Sequence, residues 1–393
     1  MSVYSNLNIQ TKIVRVAYHS NARTEFRFER DAPCLSNIRL MNIGCSQTGG
    51  TDVKYPISSG VGSLIKHISL YCGNQLISQL RDANKYLAFH YCNDSNDNEL
   101  AKTNILAQNG LGYLTLANKL TRMGNQTNLT GDVSTTPVGW IRLDECLHFL
   151  KSTSQVPCDV GDWRLVIEWS SSLTNFNHQS GSYVAPTSIE IVEPMVVCDF
   201  ILGAKSPSDL IVQYWDLESD RIVIPAIPPA VTTPDATKAK MNGFDTKTVG
   251  RMLLVNDMPE FPNAGLGIDK SVPQLDEKIQ MTVNGKKKFA FDGITNLNKT
   301  QMLNDAWGAM CCPFFNNQYG LAGATDIYGV NTNMDGFSYG GVKMQQRIQD
   351  LQVEYTRTRG AENWHKEQFD LLIFGEVAKQ FLHKGGKTVV VNA

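Results

Sequence analysis

Residues 278–291 read KIQMTVNGKKKFAF, and the Asn284-Gly285 pair at the centre is the step that decides the class of fold. A type I′ turn needs positive φ at both central residues, which asparagine tolerates and glycine adopts freely, so Asn-Gly between apolar runs marks a β-hairpin. Ile279, Met281 and Val283 share one face of the first strand, and Phe289 and Phe291 share one face of the second, read as Lys286 to Phe291. About half a chain earlier, residues 68–78 read ISLYCGNQLIS, again a strand, a tight turn at Gly73-Asn74 and a strand.

The two hairpins stand in matching contexts. After the first, Leu80, Ala83, Leu87 and Tyr91 recur at helical spacing; after the second, Met302, Leu303, Ala306 and Trp307 do the same. Leu143 to Leu150, after Pro137, reads as a third candidate helix. Each half closes on a long extended stretch, IEIVEPMVVCDFIL in one and FDLLIFGEVAKQFLHKGGKTVVV in the other. The repeated order predicts an all-β chain, one β-sandwich design used twice with a few short helices in the loops. Gly203 to Asp209 (GAKSPSD) has linker composition, which places an N-terminal unit at 1–203 and a C-terminal unit at 204–393.

The remaining text is punctuated β. Ile13 to Ala17, Glu25 to Arg30, Asn37 to Ile43, Trp163 to Trp169, Ile189 to Leu202, Arg221 to Ile224, Arg251 to Val255, Arg347 to Thr356, Asp370 to Phe374 and Thr388 to Val391 read as strands between Gly, Pro, Asn and Asp clusters.

Composition narrows function. Among 393 residues, 36 Lys and Arg offset 38 Asp and Glu, a formal charge of −2, without the basic surplus that phosphate neutralisation requires of a dedicated nucleic-acid binder. Charged residues are only 19%, and Asn, Gln, Ser, Thr and Gly fill the balance, which describes a surface that other protein surfaces meet without heavy desolvation. The start, MSVYSNLNIQTK, has no secretory pattern, and no run approaches the length of a membrane span. Nine cysteines, Cys34, Cys45, Cys72, Cys92, Cys146, Cys158, Cys198, Cys311 and Cys312, include no CxxC pair and several sit in apolar strands, so reduced core thiols are expected. The sequons at Asn93, Asn125, Asn128 and Asn298 read as products of an Asn-rich composition.

Motifs for chemistry fail one by one. Gly385-Gly386-Lys387-Thr388 ends like a phosphate loop, but Phe381 stands where the first glycine belongs and a valine strand follows instead of a helix. Gly60-Val61-Gly62-Ser63 precedes a strand and reads as a turn. His365 stands in a charged loop, Asp144-Glu145 and Asp276-Glu277 read as caps or strand edges, and Lys286-Lys287-Lys288 as a protected strand edge. No catalytic, cofactor-binding or metal-ligating residue is assigned, no cofactor is expected, and the chain reads as a non-enzyme.

The stretches CLSNIRLMNIG, GSLIKHISLYCGNQLISQLRDANKYLAF, SDRIVIPA, GFDTKTVGRMLLVN, KIQMTVNG, LNDAWG, RIQDLQVEYTR and FDLLIFGEVAK, in that order over nearly the whole chain, resemble the double jelly-roll major capsid proteins of double-stranded DNA viruses, polinton-like and adintovirus-like elements in particular. Leu70-Tyr71-Cys72-Gly73 replaces that family's usual Leu-Tyr-Asp-Gly. The resemblance implies two tandem jelly rolls and a structural protein of the virion, assembled inside the host cell in a reducing compartment. Its implied partners are itself, as a homotrimeric pseudo-hexagonal capsomer with trimer–trimer contacts, and penton and minor capsid proteins. It implies no sequence-specific nucleic acid and leaves membrane contact open. The alternative is a non-enzymatic spike- or lectin-like β-sandwich; a cupin-like enzyme would need clustered histidines that the chain lacks.

Overall fold

The computed structural model describes residues 8–28, 34–50, 53–54, 60–90, 139–153, 155–170, 177–178, 186–202, 209–229, 231, 234–257, 276–295, 298–308, 339–359 and 366–392. Sixteen strands carry the architecture. In the first half they are β1 (Asn8–Val14), β2 (Arg23–Arg27), β3 (Cys34–Ile43), β4 (Ile65–Cys72), β5 (Gln75–Arg81), β6 (Gly139–Arg142), β7 (Trp163–Trp169) and β8 (Met195–Leu202). In the second they are β9 (Asp209–Ile224), β10 (Asp235–Lys240), β11 (Lys247–Asp257), β12 (Lys278–Val283), β13 (Lys286–Lys287), β14 (Tyr339–Ile348), β15 (Leu351–Arg357) and β16 (Phe369–Lys384).

Their pairing is the same twice. The first half forms sheets β1-β8-β3-β6 and β2-β7-β4-β5, and the second forms β9-β16-β11-β14 and β10-β15-β12-β13, all antiparallel. With the strands of each half counted from one to eight, both halves read 1-8-3-6 and 2-7-4-5, the double Greek key of a jelly roll. Each of the four sheets gains a flanking strand. Val16–His19 pairs β2, Val156–Pro157 pairs β3, Ile294–Thr295 pairs β12, and Lys387–Asn392 pairs β16. The hairpin turns at Gly73-Asn74 and Asn284-Gly285 both join the fourth strand to the fifth. Asn284 (φ 52°) and Gly285 (φ 76°) adopt the two left-handed conformations that the sequence demands.

Among the described residues three α-helices lie in the connections, α1 (Ala83–Phe89), α2 (His148–Ser152) and α3 (Lys299–Trp307). α1 and α3 each fall between the fifth and sixth strands of their half. They do not cover matching sheets, because α1 packs on β4 while α3 lies on β14 and β11. That packing explains Gly341, where a Cβ would stand 2.7 Å from the Leu303 Cα.

Several elements depart from the expected bounds. Leu80 belongs to β5 and not to the helix, since pairing with β4 continues to Arg81 and left-handed Asp82 (φ 50°) breaks the strand before α1 begins. The strand read as Lys286 to Phe291 pairs only over Lys286–Lys287, and Phe291 is 58% exposed. Leu143 to Leu150 is a 3-10 turn at Leu143–Glu145 followed by α2. Arg347 to Thr356 folds back at Gln349-Asp350 into β14 and β15, and Ile189 to Leu202 divides before Pro194 into Ser188–Ile191 and β8. Gly60–Leu64 forms a 3-10 turn entering β4, and Gly385-Gly386 makes the expected hairpin turn. The linker residues 203–208 lie outside the described residues, as do Tyr91, Cys92, Cys311, Cys312, His365 and the sequons at Asn93, Asn125 and Asn128.

Two apolar cores result. One belongs to the second half and includes Ile222, Met252, Met281, Val353, Leu371 and Ile373. The other fills the first half and continues across the seam to Tyr214, Leu217, Leu253, Leu303, Trp307, Phe374 and Phe381. β16 is therefore buried on both faces over residues 371–375, which accounts for the unbroken apolar run FDLLIF: Leu371 and Ile373 face their own core, and Leu372 and Phe374 face the other half.

Candidate functional site

The two jelly rolls meet along a buried seam built from aromatic rings. At one end Tyr86 and Phe89 of α1 meet Trp307 of α3 (centroids 6.4 and 5.5 Å away), and Tyr86 also meets Phe374 of β16 at 5.8 Å. At the other, Phe149 of α2 contacts Tyr214 and Phe381 at 5.2 and 5.5 Å, and Trp163 stacks on Phe149 while also meeting Phe381 at 5.9 Å. Trp307 donates its indole N–H to the Met252 carbonyl (3.0 Å), and the Arg251 guanidinium lies 3.8 Å over its ring while pairing with Glu376. The stripe read on α3 is real, yet Leu303 and Trp307 pack into the core that crosses the seam.

Polar groups on the seam are satisfied across it. The Tyr214 hydroxyl donates to the Ile77 carbonyl (2.6 Å), and Ser78 donates to Asp216 (2.5 Å). Asp216 is also held by Lys379 (2.7 Å), which reaches Glu218 (2.9 Å), and Glu218 in turn is held by Lys247 (2.5 Å). Asp216 and Lys379 share the face of the β9–β16 ladder that passes here from its own core to the first half. Burial pushes the Asp216 carboxyl up, with Lys379 and Ser78 opposing. Burial also raises Glu218, but the two lysines outweigh it and the net shift is downward. Lys85 of α1 pairs with Asp257 at the end of β11 (2.5 Å). His148 of α2 is 5% exposed, and burial, helped by Lys151, lowers its pKa to about 3.

Two apolar faces stay open to solvent. On β1, Ile9 and Ile13 are 59% and 62% exposed, on either side of Thr11, which donates to Asp199. Beyond the seam, β9, β16 and the final strand Lys387–Asn392 form a three-stranded extension whose inner face covers the first half. Its register aligns Ile211, Leu382 and Val389 on the outer face, beside Trp215 and Val391. Ile211 is 64% exposed and Trp215 44%. Single exposed apolar residues are ordinary, but a contiguous strip of them on paired strands is the composition of a protein contact.

No group of His, Cys, Asp and Glu among the described residues could hold a metal ion. Arg142 and Asp144 pair with each other beside a cleft of about 250 Å³. Lys286 and Lys287 lie exposed on edge strand β13, where charge discourages further strand pairing. Asn298 donates to the Gly293 carbonyl (2.9 Å) and accepts from the Thr295 N–H (2.7 Å), so its amide fastens the approach to α3. Cys45, Cys72, Cys146, Cys158 and Cys198 are buried, and burial pushes Cys198 up to about 12. No helix among the described residues is long and apolar enough to cross a membrane.

No family model and no curated protein matches the sequence. Solved structures do match. The chain is similar to PBCV-1 VP54 as fitted into a reconstruction of the virophage Sputnik, with 10% identity and a TM-score of 0.64 over 100% of this chain and 98% of that one. A structure from the Sputnik virophage itself gives 0.63 at 10% identity, covering 100% and 90%. The mavirus major capsid protein gives 0.57 at 10% identity, covering 100% and 92%. These neighbours are double jelly-roll major capsid proteins of double-stranded DNA viruses, and this chain has their fold from end to end.

Proposed function

We propose that this chain is a major capsid protein, a structural subunit that builds the shell of an icosahedral virion. The observation that carries the reading is the exact repetition of one eight-strand topology, 1-8-3-6 with 2-7-4-5, in a fold shared over its full length with capsid proteins. Residues 1–203 and 204–393 are the two jelly-roll domains, and each supplies one wedge of similar shape. Three subunits then present six wedges, so a homotrimer tiles like a hexagon.

A closed three-fold ring uses a heterologous contact, each copy giving one patch and receiving another. The open faces on β1 and on the β9–β16 extension are two such apolar patches at separate places on the molecule. Contacts between trimers are smaller and more polar, in keeping with the low charge and the Asn-rich loops. Penton and minor capsid proteins complete the shell, which assembles inside the host cell. The role is structural and asks for no catalytic residue.

Light scattering on the purified chain tests this. A trimer has about three times the 43.6 kDa of one chain and persists at micromolar dilution. Hexagonal outlines in negative-stain images are the accompanying result. A mass near 44 kDa at every dilution overturns the trimer and favours the spike- or lectin-like alternative.

A further inference from the structure

The second jelly roll buries a group of polar side chains that the capsid role does not use. Lys299 at the start of α3, Glu277 just before β12 and Asn256 on β11 are each 2% exposed or less. One carboxylate holds the other two. Lys299 donates its Nζ to Glu277 Oε2 at 2.5 Å, and Asn256 donates its Nδ2 to Glu277 Oε1 at 2.8 Å. The Tyr355 hydroxyl donates to the same Oε1, and Asn256 Nδ2 also lies 3.4 Å from that hydroxyl oxygen. The Phe369 ring lies 5.4 Å from that of Tyr355, and the buried Arg357 guanidinium sits 4.9 Å over Phe369.

As an ion pair this is a poor device. A dehydrated Lys–Glu pair contributes little over apolar residues of the same volume, and a cation in the first turn of a helix opposes the helix dipole. Neither consideration asks for an amide whose nitrogen rests on the other carboxylate oxygen. An amine, a carboxyl group and a carboxamide brought together in the buried interior of a β-sandwich have a definite reaction open to them, acyl transfer from the amide nitrogen to the amine. The carboxyl group moves the protons.

We propose that Lys299 and Asn256 join in an intramolecular isopeptide bond, with Glu277 as the proton carrier. The Lys299 ammonium passes a proton to Glu277 Oε2 across the existing contact, leaving a neutral amine. Its lone pair attacks Asn256 Cγ, forming the Nζ–Cγ bond and a tetrahedral centre. Glu277 delivers that first proton to Nδ2 and takes a second from Nζ; Nδ2 departs as ammonia when the Cγ–Nδ2 bond breaks, and the second proton leaves with it. The products are a secondary amide and ammonium. No oxidant or cofactor enters, and the chain becomes lighter by one ammonia. Tyr355, whose hydroxyl burial keeps protonated, holds the carboxyl oxygen that faces the leaving nitrogen. The bond staples α3, which lies on the seam, to the β11 strand of the second jelly roll.

Intact-mass spectrometry of the full-length protein, denatured after purification, reads the bond directly. The expected mass is about 17 Da below that of the sequence, and a proteolytic digest yields one branched peptide joining the segments around Asn256 and Lys299. Glu277→Gln retains the shape of the site and restores the full sequence mass, as does Lys299→Met. Should either variant fail to fold, the wild-type mass and digest still decide. A wild-type protein at its full sequence mass, with separate linear peptides containing Asn256 and Lys299, overturns the proposal. A 17 Da loss mapped to any other residue does so as well.

Discussion

Trp307 shows how a single side chain can serve two domains. It is 5% exposed, bonded to Met252 in its own half and packed on Phe89 in the other. Truncating it to alanine costs about 3–5 kcal/mol, the usual range for a buried tryptophan. Phe89→Ala removes the other partner of the T-shaped pair, and the two losses are expected to be non-additive by about 0.5–1.5 kcal/mol because the rings interact directly. Urea unfolding of both single variants and the double variant measures the coupling, and strict additivity would show that the seam does not bind the halves energetically. His148, on the same seam, makes a pH prediction. Its folded pKa of about 3 lies below the ordinary histidine value of 6.5, so the native state binds fewer protons than the unfolded chain in that interval. Its contribution is therefore complete above pH 6.5 and is lost as pH falls toward 3, at up to about 1.4 kcal/mol per unit. The urea midpoint should drop between pH 7 and pH 5, and His148→Gln should flatten that drop. An equal slope in both proteins would assign the acid sensitivity to other groups.

Elements whose conformation is dictated by neighbours in sequence were legible, and elements shaped across the seam were not. The Asn284-Gly285 turn announces itself because two successive positive φ values admit few residues. Trp163–Trp169 reads as a strand and is one, with Trp163, Leu165, Ile167 and Trp169 buried on one face. Leu80 misled because its three-residue spacing to Ala83 is a true record of burial but not of backbone: both are fully buried, one on a strand and one on a helix. β9 was legible only as Arg221 to Ile224, since the burial of Tyr214, Asp216 and Leu217 depends on the other jelly roll, as the Ser78–Asp216 bond across 138 positions illustrates. The Asn284 turn also reaches outside its hairpin. Its side chain accepts from the Gln349 N–H (2.7 Å) and donates to the Arg347 carbonyl (3.0 Å), tying this turn to the one between β14 and β15. Asn284→Ala loses the left-handed preference and both bonds, and should destabilise the protein by about 1–3 kcal/mol. Asn284→Asp retains the acceptor and should lose less. Equal losses in the two variants would mean that the link to the β14–β15 turn contributes nothing.

At the scale of the molecule, the repeat and the seam pull in opposite directions. Two copies of one topology, each with its own pair of sheets, would ordinarily melt as separate units, as domains with small polar interfaces do. Here the first core does not stop at the domain boundary, because Leu217, Trp307, Phe374 and Phe381 of the second half belong to it. Melting the first jelly roll alone would expose those residues and leave Asp216 without Ser78 and Tyr214 without the Ile77 carbonyl, and melting the second alone would expose Phe149 and Tyr86 of the first. The full-length chain should therefore unfold in one calorimetric transition, with its van't Hoff enthalpy close to its calorimetric enthalpy. Asp216→Ala leaves Lys379 facing the seam with only Glu218 as counter-charge, and it weakens the joint without touching either sandwich core. That variant should broaden the transition or divide it in two. A wild-type protein that already melts in two separated steps would show that the seam is only an adhesive contact, and that the two jelly rolls are independent domains.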